Sequence, residues 1–208
     1  MGRIASRWGR DFDPDRLAGL ELEMWKAYYR RQGGRLFLLL VRVNREQAGV
    51  GWATAAVAAV WLAAAAVRFG RSTGRYERFE PVIARGYRML GLPAGVDARE
   101  VAQRELRWWV VRREIGVAAG VAAGRAITAL YTSIYGVPEA LVSEAGRLRG
   151  EAAEVRDRGA AADPGGPSGD GLAYWPEVGR LLRASYRSLH AALGAESLPG
   201  SSGRTPAA

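Results

Sequence analysis

The chain reads as all-α: a single helical bundle of about six to seven helices with a disordered C-terminal tail. Three observations point there. Apolar residues recur at three- and four-residue steps along most of the chain. Helix starts carry capping residues, as at Asp13-Pro14 and at Asp97 with Glu100 three positions on. No run alternates apolar β-branched residues with polar ones, so no sheet is expected.

The elements follow in order. Asp13 caps a first helix in which Leu17, Leu20, Met24 and Tyr28 share a face. Gly33-Gly34 predicts a kink or break, because each interior glycine costs about 1 kcal/mol relative to alanine. Helix resumes over Leu36 to Val43. Further helices are predicted over 48–67, over about 75–90 and from Asp97, the last of these holding Trp108 and Trp109. A fifth spans 115–135. Pro138 opens a sixth, with the stripe Leu141, Ala145, Leu148, Ala152 and Val155. A seventh starts near Pro176 and turns Val178, Leu182, Ser185, Leu189 and Ala192 to one side. The expected organisation is a flexible N-terminus over 1–13, a bundle over 14–158, a linker over 159–172, a C-terminal helix over 173–193 packed on the bundle, and a disordered tail over 194–208.

Composition narrows the function classes. The chain has no cysteine, which removes disulfides, thiolate metal sites and thiol nucleophiles. Of its 30 basic residues only Lys26 is lysine, a usage expected of a GC-rich bacterial genome. The excess of positive charge lies before residue 115, but the arginines alternate with carboxylates, so nucleic acid is not the expected partner. Residues 1–13 carry arginines and aspartates with no apolar run after them, so no secretory signal is read. A cytoplasmic location is expected, with a membrane as the alternative.

That alternative rests on residues 48–67, twenty positions without a charge. The length suits a membrane span. Against it, half of the segment is alanine, which contributes little to insertion, and arginines flank both ends equally. Gly116, Gly120 and Gly124 offer the other reading. They line one helix face and let another backbone approach, with the alanine-rich helix as the expected partner.

Motifs for catalysis are missing. The only histidine, His190, sits near the end of the last helix, where it can bond free carbonyls. Ser185 and Ser188 are near it in sequence but have no nucleophile-elbow context. There is no Lys-Ser or Lys-Thr for a P-loop and no Glu-x-x-His for a bundle di-metal site. No cofactor and no metal are expected. Polar and aromatic faces are the better candidates for a site. Glu21, Trp25 and Tyr28 share one side of the first helix, and Glu105, Trp108 and Arg112 one side of the fourth. Glu144, Arg147 and Glu151 border the stripe of the sixth. These groups are expected to meet inside the bundle, either as ion pairs that fix helix register or as the lining of a ligand pocket.

ELEMWKAYYRR (21–31), RELRWWVVRRE (104–114) and YWPEVGRLLRASYRSLHAAL (174–193) together resemble a group of bacterial helical proteins of about this length with no assigned activity. The resemblance covers most of 14–193 and implies an all-helical fold, with no catalytic residue carried over. The expected function is therefore a non-enzymatic binding or scaffolding module acting on a protein partner or on itself. The alternatives are membrane contact through 48–67 and a carboxylate-rich ligand or metal site within the bundle.

Overall fold

The structure, a computed structural model, describes Trp8, residues 11–162 and residues 173–196. The described residues form an all-α bundle of eight α-helices: α1 Pro14–Tyr29, α2 Gly33–Ala48, α3 Trp52–Gly70, α4 Glu80–Leu90, α5 Ala98–Ile115, α6 Gly120–Tyr135, α7 Glu139–Ala162 and α8 Tyr174–Glu196. Most of the expected linker and tail, 163–172 and 197–208, lies outside the described residues. Residues 159–162 continue α7. Within the segment read as a flexible N-terminus, Trp8 and Phe12 are buried, and the Trp8 indole donates to the carbonyl of Leu90 at 3.0 Å.

The first predicted helix divides in two, for a reason other than its glycines. The Gln32 N–H bonds back to Ala27 and the Arg31 N–H to Tyr28, with Arg31 left-handed at φ 56°. This Schellman closure places arginine where glycine is usual and ends α1 before Gly33. Gly33 and Gly34 then open α2. Gly49, left-handed at φ 64°, caps α2 and turns the chain into α3. Asp97 caps α5 through the Arg99 N–H at 2.9 Å, but Glu100 makes no reciprocal cap. It accepts instead from Ser133 on α6.

Packing follows chain order. Each helix lies chiefly against its sequence neighbours, and α8 closes on α1, so the eight helices make a cycle. The tightest crossing is between α6 and α7. A Cβ on Gly150 would lie 2.4 Å from the Gly120 carbonyl oxygen and 2.5 Å from the Gly124 nitrogen. The glycine face of α6 thus meets Gly146 and Gly150 of α7, and not the alanine-rich helix expected as its partner. Gly116 takes no part in that face. It sits at φ 73°, ψ −135°, a conformation open to glycine alone, and separates α5 from α6.

The alanine-rich α3 packs between α2 and α4 through Ala55, Ala58, Ala59, Ala65 and Phe69. It is long and apolar enough to cross a membrane, yet only 28% of its most apolar window is buried in the fold. Its outward positions, Ala53, Val57 and Val60 among them, are left exposed. The cyclic order leaves a space in the middle that backbones do not fill. Long aromatic and charged side chains from α1, α5, α7 and α8 span it.

Candidate ligand pocket in the bundle interior

At the centre of that space lies Glu21, with no solvent exposure. Its carboxylate accepts from the Trp25 indole at 3.0 Å, from the Arg149 guanidinium and from the Tyr186 hydroxyl. One group thereby ties α1, α7 and α8 together. Burial, reinforced by Glu21 itself, pushes the Tyr186 hydroxyl well above its ordinary pKa, so it stays protonated as the donor. Burial disfavours the Arg149 charge, but Glu21 and then its other neighbours outweigh that and hold it firmly protonated. Arg149 also donates to the Tyr131 hydroxyl at 3.2 Å and lies 5.5 Å from the Trp108 ring.

A second ion pair closes the interior on the other side. Arg112 of α5 grips Asp157 of α7 at two points, 2.6 and 2.7 Å, and Arg156 reaches the same carboxylate at 2.9 Å. Burial would lower the Arg112 pKa, but Tyr29 and Asp157 outweigh it and hold it above its usual value. Arg156 lies 3.2 Å from the centre of the Tyr29 ring, and Arg112 5.4 Å from that of Trp25. Such two-point pairs are geometrically selective, and stacking on rings offsets part of the lost hydration.

Between the two pairs a cavity of about 420 Å³ remains. Its walls are mostly apolar: Trp25, Tyr28 and Tyr29 from α1, Leu62 and Phe69 from α3, and Trp108 and Trp109 from α5. Glu105, Arg112, Arg149 and Asp157 supply its polar edge, and Arg113 stands at its rim, bonded to the carbonyls of Phe69 and Ser72. Volume, apolar lining and few convergent polar groups are the general features of small-molecule sites. Among the described residues, no cluster of three or more His, Asp or Glu is placed to hold a metal.

Glu105 is the titratable group of the pocket wall. Its carboxylate accepts from Tyr87 at 3.0 Å and from the Trp109 indole at 3.0 Å. Burial raises its pKa, and Arg149 with these donors offsets only part of that rise. The folded state then holds the Glu105 proton to higher pH than the unfolded state does. Its contribution to stability is full below the unfolded value and is lost as pH rises through the folded one. Glu105→Gln keeps an acceptor for Trp109 and has no charge to desolvate. This variant is expected to be more stable than the parent at neutral pH, with the gap narrowing in acid, as read by urea unfolding at several pH values.

Six of the nine residues that the sequence offers as candidates lie at this interior. Trp25, Tyr28, Glu105, Trp108 and Arg112 line the pocket, and Glu21 anchors the network behind it. The other three do not. Arg147 pairs with both Glu144 and Glu151 on the solvent side of α7 and is itself 57% exposed. The inward arginine is Arg149, two residues or about 200° further round the helix. The packed side of α7 carries Val142, Ala145, Gly146, Gly150, Ala152 and Ala153; of the predicted stripe, Ala145 and Ala152 are buried and Leu148 and Val155 pack against the core, while Leu141 is exposed. Arg149, Arg156 and Asp157 lie on that face, and Ala145, Gly146 and Gly150 are its sequence signal. In the sequence, Tyr29 and Trp109 stand out only as neighbours of Tyr28 and Trp108.

The groups nearest to catalytic chemistry are occupied otherwise. Ser185 is buried and donates to the Ala145 carbonyl at 2.7 Å, while His190 meets Phe12 edge to face. Compared with known families, with curated proteins and with solved structures, the chain has no match.

Proposed function

We propose that the chain is a non-enzymatic binding protein whose interior pocket holds a flat, apolar small molecule carrying one acidic group. The observation behind this reading is the aromatic cavity itself, left open between two ion pairs that brace its walls. Its carboxylates all have internal donors. Glu21 is held by three side chains, Asp157 by two arginines, and Glu105 by a tyrosine and an indole. None stands free as a general base, which favours binding over turnover. The arginines at the edge, Arg112 and Arg113, favour an anionic head over a cationic one.

The test uses anilinonaphthalene sulfonate, a dye with a flat apolar body and an anionic group. The folded chain is expected to bind one dye saturably, with enhanced emission. Ala66 lies in the α3 wall of the pocket, so Ala66→Phe fills the space. This variant should melt as the parent does and bind the dye at least tenfold more weakly. Equal binding by both proteins, or none by the parent, would overturn the proposal.

A further inference from the structure

We infer that the outward face formed by α2, α3 and α4 docks onto an anionic lipid bilayer, with α3 lying in the plane of the membrane. The inference is independent of the interior pocket. It starts from the exposed side of α3, where Ala53, Val57 and Val60 face solvent and Val60 is 52% exposed. No charge interrupts α3 between Trp52 and Val67. Apolar side chains at this spacing, with nothing in the fold to cover them, form an interaction surface.

What surrounds the stripe says which partner it fits. Trp52 and Trp61 stand on opposite flanks of α3, and each is stacked under an arginine of a neighbouring helix. Arg45 of α2 lies 4.5 Å from the Trp52 ring, and Arg85 of α4 lies 5.0 Å from the Trp61 ring. Arg42 on α2, Arg88 on α4 and Arg68 at the end of α3 extend the two rows. Among the described residues none of these five arginines has a carboxylate partner, while the acidic groups of α2 and α4, Glu46 and Glu80, are engaged by Arg16 and Arg99. The result is an apolar ridge edged on both sides by tryptophan and unneutralised arginine. Tryptophan favours the headgroup level of a bilayer, and arginine beside it attracts anionic lipid.

Two other occupants fit less well. A second copy meeting this face across a two-fold axis would set arginine rows against arginine rows. Spanning the bilayer would require α3 to leave α2 and α4, exposing Phe69 and the core side of Ala55, Ala58 and Ala59.

Sedimentation with vesicles tests the inference on the full chain. Vesicles of equimolar phosphatidylglycerol and phosphatidylcholine are expected to carry the protein down at low salt and to release it at high salt. Pure phosphatidylcholine vesicles should not bind it. Because Arg42 and Arg88 are exposed, Arg42→Gln and Arg88→Gln should leave the melting temperature unchanged and each weaken partitioning about fivefold. Val60→Asp should weaken it further. Binding indifferent to lipid charge and to all three substitutions would overturn the inference. So would a dimer in solution that Val60→Asp disperses, or cellular protein that resists carbonate extraction from membranes.

Discussion

Replacing Glu21 with alanine is expected to destabilise the fold by about 3–5 kcal/mol, a loss near half the stability of a typical domain. The cost comes from what stays behind. Arg149, only 12% exposed at its side chain, would keep its charge without its main carboxylate. The Trp25 indole and the Tyr186 hydroxyl would lose their acceptor in the interior. Glu21→Gln keeps an acceptor and is expected to lose less. A second comparison separates the pair from the site. The double variant Glu21→Leu, Arg149→Met removes both charges and refills the volume, and is expected to lose less than the two single changes summed. Guanidinium unfolding of the parent, of Glu21→Ala and Glu21→Gln, and of Glu21→Leu, Arg149→Met and their double variant reads these differences. Additive losses would mean that the two residues act separately.

Gly150→Ala is the second large effect. A methyl there has nowhere to go, because the atoms it meets are the backbone of α6, Gly120 oxygen and Gly124 nitrogen. Alanine is the better helix former by about 1 kcal/mol, so propensity alone would stabilise the variant. The clash is expected to outweigh that and leave a net loss of about 1–3 kcal/mol. Gly19 provides the opposite sign. It lies within α1, and a Cβ built on it meets nothing within 4 Å. Gly19→Ala is expected to raise stability by about 0.5–1 kcal/mol. Thermal melts of the two variants side by side check both signs. A tolerated Gly150→Ala would show that α6 and α7 do not cross as closely as the glycines require.

These two sites show where the sequence is readable and where it stops. The fold class follows from apolar periodicity and from caps at Asp13 and Asp97, which are local signals. The inward faces of α1 and α5 are legible for the same reason, since Glu21, Trp25 and Trp108 sit at helical spacing among apolar residues. On α7 the signal is incomplete: the stripe finds the buried Ala145 and Ala152 but passes over Gly146 and Gly150. Glycine and alanine bury little area, so hydrophobicity ranks Leu141 above Gly146 and Gly150, although Leu141 is 40% exposed and the glycines carry the contact. Arg147, at the border of the stripe, faces outward, and Arg149 faces inward. The closing of α8 on α1 leaves no local trace at all. It depends on contacts between residues far apart in the chain, such as Tyr186 with Glu21. Nor does periodicity reveal the exposed ridge of α3, because an alanine-rich helix has almost no polar side to distinguish.

The claim at the centre of this account is that the aromatic interior takes up a ligand. The indole N–H signals in a nitrogen–proton correlation spectrum test it most directly, with the same naphthalene sulfonate dye as ligand. The signals of Trp25, Trp108 and Trp109 are expected to shift together as the dye saturates the pocket, while those of Trp52 and Trp61, stacked under arginines on the outer face, stay in place. Shifts confined to Trp52 and Trp61, or none during saturation, would contradict it.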